Sequence, residues 1–339
     1  MIPGALDTPT GGYGYDRRLI DELRVIGWDV RHVALPDGFP FPDASVEAAT
    51  LAALARLPHG ATALVDGLAF SALPGTMAAE AGRLRLVALI HHPLGDESGL
   101  DAAARTDLLA REAAALRVAR AVICTSPATG ARLVTAFGVS PQRLTVAPPG
   151  TAPGPRAIGG GDPPLILSVG SLIPRKRHDV LIDALDRLRD RPWQARILGS
   201  DALDRGCAAD LAARIAALDL GARITLVGAV VDTRAEMAQA DIFALASEYE
   251  GYGMAFAEAM DQGLPVVGCG VGAIADLVPR AAGALVPPGD PEAFAAALAA
   301  LLDDPAARRA AAAASYAAGR ALPRWPATAA IVARALATA

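Results

Sequence analysis

Ser247-Glu-Tyr-Glu-Gly-Tyr-Gly-Met-Ala-Phe-Ala-Glu-Ala-Met260 is the stretch from which the fold of this chain is read. The apolar run before it, Asp241-Ile-Phe-Ala-Leu-Ala246, predicts a buried strand. Residues 256–262 predict a helix ended by Gly263, and Leu264-Pro-Val-Val-Gly268 predicts a second buried strand. Glu250 then falls on a loop at the carboxyl end of a parallel strand, where open α/β sheets bind ligands. Gly251 and Gly253 let the backbone approach a ligand and adopt positive φ. The helix start at Gly253-Met254-Ala255 offers free N–H groups and a positive dipole end, which suit a phosphate. Glu258 sits one turn on and is expected to point back to the same crevice. Two carboxylates beside a phosphate cradle imply a ligand with both hydroxyls and phosphates, such as a nucleotide sugar. The competing reading makes Glu250 a solvated loop residue and Glu258 a plain helix-surface residue. The strand, the Gly-x-Gly loop and the small-residue helix around the pair argue against it.

A second segment converges on the first. Lys176 is the only lysine of the chain, and it stands in Leu165-Ile-Leu-Ser-Val-Gly-Ser-Leu-Ile-Pro-Arg-Lys-Arg-His-Asp-Val-Leu-Ile-Asp183. This again predicts a strand, a glycine loop and a helix. Arg175, Lys176 and Arg177 crowd the loop where a phosphate would bind, the lysine as a point charge and the arginines as forks. A short basic run of this kind is also what an ordinary solvated loop looks like. Asp179 reads as a first-turn acid of the following helix.

These residues carry a resemblance. Val-Gly-Ser-Leu-Ile-Pro-Arg-Lys-x-His-Asp-Val-Leu-Ile-x-Ala, then Ser-x-Tyr-Glu-Gly-Tyr-Gly-Met-x-x-x-Glu-Ala, then Gly-Leu-Pro-Val-Val resemble the retaining glycosyltransferases of family 4. The resemblance covers nearly the whole chain and is strongest in its second half. It implies the GT-B fold: two Rossmann-like, doubly wound parallel-sheet domains facing a cleft. It implies that Glu250 contacts hydroxyls of the transferred sugar, and that Gly251, Tyr252, Gly253, Met254 and Ala255 bind sugar and diphosphate. Glu258 would accept hydrogen bonds from the ribose, and Lys176 would hold the diphosphate. The family usually has arginine directly after the first glycine of this loop; here that position is Ser171, with Arg175 nearby as the substitute.

Length and composition agree. At 339 residues the chain accommodates two domains of roughly 150–170 residues. It is 53% apolar, only 4% aromatic, and carries a net charge of −5, so no nucleic-acid footprint is visible. Cys124, Cys207 and Cys269 are scattered in apolar surroundings and read as buried free thiols of a reducing compartment. No signal peptide is evident, and no apolar run reaches the ~18 residues that suggest a membrane span. Strands are predicted over 28–35, 62–66, 84–91 and 121–125, and helices over 17–26, 45–57, 100–118 and 128–137. This alternation predicts βα units and a parallel sheet in residues 1–150. Pro148-Pro-Gly-Thr-Ala-Pro-Gly-Pro155 and Gly159-Gly-Gly-Asp-Pro-Pro164 form a Pro/Gly linker, after which the alternation resumes over 151–324. A helix over 306–318 is followed by a break and a last helix over 327–338. In the resembled family that helix crosses back onto the first domain, so residues 325–339 would complete it, with Trp325 at the crossing.

The amino-terminal region has its own candidates. Only Met1-Ile2-Pro3 precede Gly4, so the first strand is either very short or entered part-way. In Asp7-Thr-Pro-Thr-Gly-Gly-Tyr-Gly-Tyr-Asp16, Gly11 and Gly12 offer N–H groups to a phosphate or acceptor; the loop lacks the dinucleotide fingerprint. His91-His92-Pro93 ends a strand at its carboxyl edge. No acidic or cysteine partner stands at ligand spacing in the sequence, so no metal site is expected. The resemblance places a histidine here near the transferred sugar; that is His91, with His92 the runner-up. Glu112, Ser126 and Pro127 match family positions with structural roles.

The resulting expectation is a cytoplasmic, metal-independent, retaining hexosyltransferase that needs no cofactor besides a nucleoside-diphosphate sugar donor. His91, Glu250 and Lys176 form its catalytic set. Its acceptor is a hydroxyl of a saccharide or small molecule. Residues 1–150 contain thirteen arginines and fifteen acids, which implies at most transient contact with a membrane. Other classes stay open: a sugar-nucleotide epimerase of similar fold, a nicotinamide oxidoreductase, and a non-catalytic nucleotide-sugar-binding subunit. The nucleobase, for which the backbone near Gly199-Ser200 and Gly228-Ala-Val230 is the expected reader, stays undetermined, as do the hexose and the acceptor.

Overall fold

The computed structural model describes every residue except Ser98 and divides into two compact units, Met1–Gly150 with Pro323–Ala339, and Thr151–Leu322. Both are α/β units built on parallel strands.

In unit 1 the strands are β1 (Ile2–Pro3), β2 (Ala34–Leu35), β3 (Thr62–Asp66), β4 (Arg85–Ile90), β5 (Ala121–Cys124) and β6 (Leu144–Val146). The last four form a parallel sheet in that order, with Asp66 opposite Leu89 and Ile90 opposite Cys124. β1 and β2 pair in parallel, and the Met1 carbonyl accepts the Asp66 N–H at 3.0 Å, which sets β1 alongside β3. Val65, Leu86, Ala88, Ile90 and Val122 are buried, as expected of strands covered on both faces. The helices are α1 (Gly11–Val25), α2 (Ala44–Ala55), α3 (Gly67–Ala72), α4 (Pro74–Glu80), α5 (Ala102–Val118) and α6 (Pro127–Phe137).

Three features of unit 1 depart from the sequence pattern. Only Ala34–Leu35 of the expected strand over 28–35 pairs, because its neighbour β1 is equally short and the Asp29 and Arg31 side chains are 81% and 85% exposed. α1 begins at Gly11, before the expected start at residue 17. Thr10 caps it by accepting the Tyr13 N–H at 3.4 Å, so the glycine pair is the first turn of a helix. α3 and α4 were not expected; they are too short for helical periodicity to show, and local chemistry starts them. Asp66 caps α3 by accepting the Leu68 N–H at 2.8 Å, and Pro74 opens α4.

The helix Trp325–Thr338 packs against α1. The Trp325 ring meets Tyr15 edge-on at 5.6 Å, and the Thr328 hydroxyl donates to the Pro148 carbonyl at 2.7 Å. A Cβ added to Gly150 would lie 2.2 Å from the Trp325 backbone nitrogen, so only glycine fits there.

Unit 2 contains β7 (Leu165–Val169), β8 (Gln194–Leu198), β9 (Ile224–Gly228), β10 (Ile242–Leu245), β11 (Val266–Cys269) and β12 (Gly283–Val286). They form one parallel sheet in the order β12-β11-β10-β7-β8-β9. The order reverses between β7 and β10, and such a switch point opens a crevice at the carboxyl ends. Every residue of β10 and β11 is buried. The helices are α7 (His178–Asp186), α8 (Arg205–Ala217), α9 (Thr233–Met237), α10 (Met254–Asp261), α11 (Ile274–Leu277), α12 (Pro291–Asp303) and α13 (Pro305–Arg320).

The Pro/Gly segment that opens unit 2 is fastened to it. The Gln262 amide donates to the Pro155 carbonyl at 2.7 Å, and the Asp241 carboxylate accepts the N–H groups of Gly161 at 3.0 Å and Leu165 at 2.8 Å. All three cysteines are free; Cys124 and Cys269 are buried, but Cys207 is only half-buried, because it lies in the first turn of α8.

Candidate functional site

The loops after β7 and β10 meet at the switch point of unit 2. Gly170 donates its N–H to the Leu198 carbonyl at 2.9 Å, and a Cβ on Gly199 would lie 1.9 Å from the Gly170 oxygen. Glycine at 199, just after β8, is therefore what lets the loops after β7 and β8 close on each other. His178, at the start of α7, is buried and donates from Nε2 to the Gly170 carbonyl at 3.2 Å. Burial pushes its pKa down to about 4, so it anchors the loop as a neutral ring. The chain then makes a single turn over Pro174–Lys176 and enters α7 through Arg177, whose φ of 49° is left-handed. Arg177 grips Asp179 and Glu248, which holds the Asp179 carboxyl below its usual range despite burial. Asp179 is thus a first-turn acid, as expected.

The second loop is tied to the first. Glu248 donates its N–H to the Arg175 carbonyl at 2.9 Å, and the Arg175 guanidinium donates to the Tyr249 carbonyl at 3.0 Å. The Lys176 ammonium donates to Glu250 Oε1 at 2.6 Å, and the Ser247 hydroxyl donates to the same oxygen at 2.7 Å. Both donors converge on Oε1; Oε2 makes no hydrogen bond among the described residues. Burial alone would raise the Glu250 pKa. The charges of Lys176 and Arg175, with the two hydrogen bonds, hold it below the usual carboxylate range. Behind the loop, Gly272 leaves room for the Glu250 carbonyl, which a Cβ there would meet at 2.2 Å, and that carbonyl accepts the Ala273 N–H at 3.0 Å.

Gly251 and Tyr252 follow, then Gly253, whose φ of 92° places it as the left-handed entry to α10. No side chain caps this helix start, so the first N–H groups of Met254 and Ala255 face outward from an uncapped dipole end. Glu258 lies half-buried on α10 one turn further on. Lys176, Arg175, Glu250 and the Gly251–Ala255 segment, numbered 251–255, thus share one place in unit 2.

His91, Gly11 and Gly12 belong to unit 1, at the carboxyl end of β4 and the first turn of α1. They share a place of their own: a Cβ on Gly12 would lie 3.4 Å from the His91 ring. The expectation that His91 has no acidic partner is corrected. Its Nε2 lies 3.2 Å from Asp16 and 3.3 Å from Asp66, carboxylates brought in from α1 and the end of β3. Those ligand atoms all fall within 4.8 Å of one another, compact enough for a metal ion, but hydrogen bonding through Nε2 accounts for the spacing with a proton alone. His92 turns to Glu97 instead, at 3.1 Å. Below them Glu112, fully buried, accepts from the Ser71 hydroxyl at 2.9 Å and the Leu94 N–H at 3.1 Å, and burial raises its pKa to about 7. Ser126 caps α6 and Pro127 opens it.

Sequence reasoning missed the contacts of Asp16, Asp66 and Ser247. Asp66 carried a signal, since it ends a strand at the same sheet edge as His91. Asp16 carried one too, one helical turn after Gly12.

A family model of glycosyl transferases group 1 matches residues 163–304, and a model of glycosyltransferase family 4 matches residues 15–153. The chain is 32% identical over 212 residues to a D-inositol 3-phosphate glycosyltransferase of Kineococcus radiotolerans, covering 52% of this chain and 48% of that protein. It is 34% identical over 229 residues to a GDP-mannose-dependent alpha-(1-6)-phosphatidylinositol monomannoside mannosyltransferase of Mycolicibacterium smegmatis, covering 58% and 55%. The chain thus spans about half the length of these curated relatives. Among solved structures it resembles HepE of Anabaena in complex with UDP-glucose, with a TM-score of 0.78 at 21% identity over 100% of this chain and 99% of that one. That likeness speaks to the fold. One family model falls in each parallel-sheet unit, and together they span most of the sequence: the chain belongs to the family 4-like glycosyltransferases of GT-B fold.

Proposed function

We propose that this protein moves a hexose from a nucleoside-diphosphate sugar to an acceptor hydroxyl, with retention at the anomeric carbon and with neither metal nor further cofactor. The observation that carries the reading is the Lys176–Glu250–Ser247 cluster beside the uncapped start of α10. A cation and free backbone N–H groups suit a diphosphate, and the open Oε2 of Glu250 suits a sugar hydroxyl. Glu258, one turn on, is assigned to the ribose.

In the reaction the anomeric C–O bond breaks and its electron pair passes to the leaving diphosphate. Lys176, Arg175 and the α10 start stabilise that growing charge in a preorganised way. The acceptor oxygen bonds to the same face of the sugar, and its proton passes to the departing phosphate oxygen. The donor class is supported by the relatives, one named for GDP-mannose and one solved with UDP-glucose. Among the described residues no helix is long and apolar enough to cross a membrane, and we place the enzyme in the cytoplasm with at most transient membrane contact.

A thermal-shift screen of UDP, GDP, UDP-glucose and GDP-mannose tests the donor half. A specific ligand raises Tm by mass action. Release of the nucleoside diphosphate only when a saccharide acceptor is added supports transfer. Conversion of the sugar without any acceptor would favour an epimerase, and binding without turnover a non-catalytic subunit.

A further inference from the structure

We propose that Asp16 and Asp66 are positioning residues that keep His91 as an imidazolium with Nε2 locked inward, so that unit 1 presents a fixed positive charge and a donor-only Nδ1–H. Three elements carry the group: Asp16 comes from α1, Asp66 from the end of β3 and His91 from the end of β4. Nε2 sits 3.2 Å from Asp16 Oδ1 and 3.3 Å from Asp66 Oδ2. With a bare lone pair, Nε2 would confront two carboxylate oxygens with no proton between them. Asp16 and Asp66 are only 3% and 5% exposed, so water does little to supply the missing donor. Burial pushes the Asp16 pKa up, and two carboxylates this deep stay ionised only beside a counter-charge, which a protonated ring at hydrogen-bond distance from both provides.

The surroundings hold the ring in this pose. Oδ1 of Asp66 is occupied by the Leu68 N–H at 2.8 Å, which turns Oδ2 to the histidine. The Thr125 hydroxyl donates to the His91 carbonyl at 3.0 Å, and the Tyr15 ring stands edge-on to the imidazole at 5.3 Å. The other ionisable groups near it are the Met1 amine and the Tyr13 and Tyr15 hydroxyls. Burial and Asp16 raise both tyrosine pKa values, with Asp66 adding to that of Tyr13, and so keep the phenols neutral, and burial lowers that of the amine. Against burial, the carboxylates raise the His91 pKa to about 10. Nδ1 makes no hydrogen bond among the described residues, and the side chain is 20% exposed.

A charged ring donates and cannot accept. His91 is then no general base; its ligand is an acceptor oxygen, a hydroxyl or a phosphoryl oxygen. The inference rests on the transferase reading only for the identity of that oxygen, because the charge belongs to the unliganded protein.

The test is side-chain 1H–15N NMR of the whole labelled protein from about pH 5 to about pH 11, with the His91 signals identified by their loss in His91→Gln. Both ring nitrogens of wild-type His91 are expected to keep imidazolium shifts through neutral pH, while Asp16→Asn and Asp66→Asn each lower the midpoint by about one pH unit or more. A wild-type midpoint near the ordinary 6.5 overturns the proposal, and so does a midpoint that neither variant moves. Displacement of the Nε2 proton signal by equimolar Zn2+ or Mn2+ also overturns it, in favour of a metal centre. If the variants fail to fold, the wild-type titration decides. A protein that binds no sugar nucleotide at all still yields this answer, so failure here and failure of the transferase reading are separate results.

Discussion

Lys176→Ala removes one half of a buried ion pair, and its consequences can be worked before any ligand is added. The ammonium lies 2.6 Å from Glu250 Oε1, and the two side chains are only 15% and 9% exposed. Deleting one member of a buried pair typically costs ~3–5 kcal/mol, because the survivor keeps its desolvation cost. Here Glu250 retains the Ser247 hydroxyl and the Arg175 charge, so we expect a smaller loss, about 2–3 kcal/mol. For a unit of this size that lowers Tm by about 5–10 °C. Glu250→Gln should cost less, because the freed lysine can swing into water. The double variant should then lose less than the sum of the single ones, by about 1–3 kcal/mol. The Glu250 pKa is held below its ordinary 4.5, so the pair stabilises fully above that pH and is lost as pH falls through the folded value. The gap between wild type and Lys176→Ala should therefore close in acid. Thermal melts of the four proteins at neutral and acid pH supply the cycle. Strictly additive losses, or a gap unchanged in acid, would refute the reasoning and leave Lys176 a solvated loop residue.

Three further outcomes are expected. Gly199→Ala drives a methyl group into the Gly170 carbonyl, so it should cost at least ~2–4 kcal/mol and abolish the thermal shift given by UDP-glucose or GDP-mannose; an unaffected variant would show that the loops need not touch. Glu250→Gln should lower kcat about 10–100-fold, whereas Glu258→Gln should mainly raise the donor KM; steady-state kinetics with the sugar nucleotide found in the screen separates them, and equal, trivial effects would return both residues to the surface. The charged His91 stabilises unit 1 fully below its ordinary 6.5 and loses that contribution as pH rises through about 10; hydrogen exchange should show the amides of β3 and β4 losing protection over that range, an effect absent from His91→Gln.

The cluster around Lys176 and Glu250 was legible because it is local and periodic. β7, β10 and β11 are buried, mostly apolar runs, and the residues of interest lie in the loops that follow them: Lys176 after β7, Glu250 after β10. Chemistry placed at a strand end is readable wherever the strand is. The cluster around His91 was not, because its partners arrive from α1 and β3, and no spacing rule links residues 16, 66 and 91. Ser247 was quoted without a role, since a hydroxyl three residues before a carboxylate says nothing of which oxygen it meets. Edge elements also escaped: the mixed stretch at residues 28–33 reads as a strand by neighbourhood, yet β1 offers it only two residues to pair with. The Pro/Gly segment at 151–164 read as a tether, and the groups that fasten it, Gln262 and Asp241, lie far along the chain.

The helix that begins at Trp325 has a consequence for the order in which the protein is made. Unit 2 is one continuous stretch, complete once Leu322 has been synthesised. Unit 1 waits: Tyr15, the Pro148 carbonyl and the notch at Gly150 all find their partners in residues the ribosome adds after the whole of unit 2. Until then the face of α1 that the final helix covers stays bare on a nascent chain. A translational arrest anywhere in unit 2 therefore releases an unfinished first unit, and chaperones should engage such truncated products more avidly than chains stopped after the final helix.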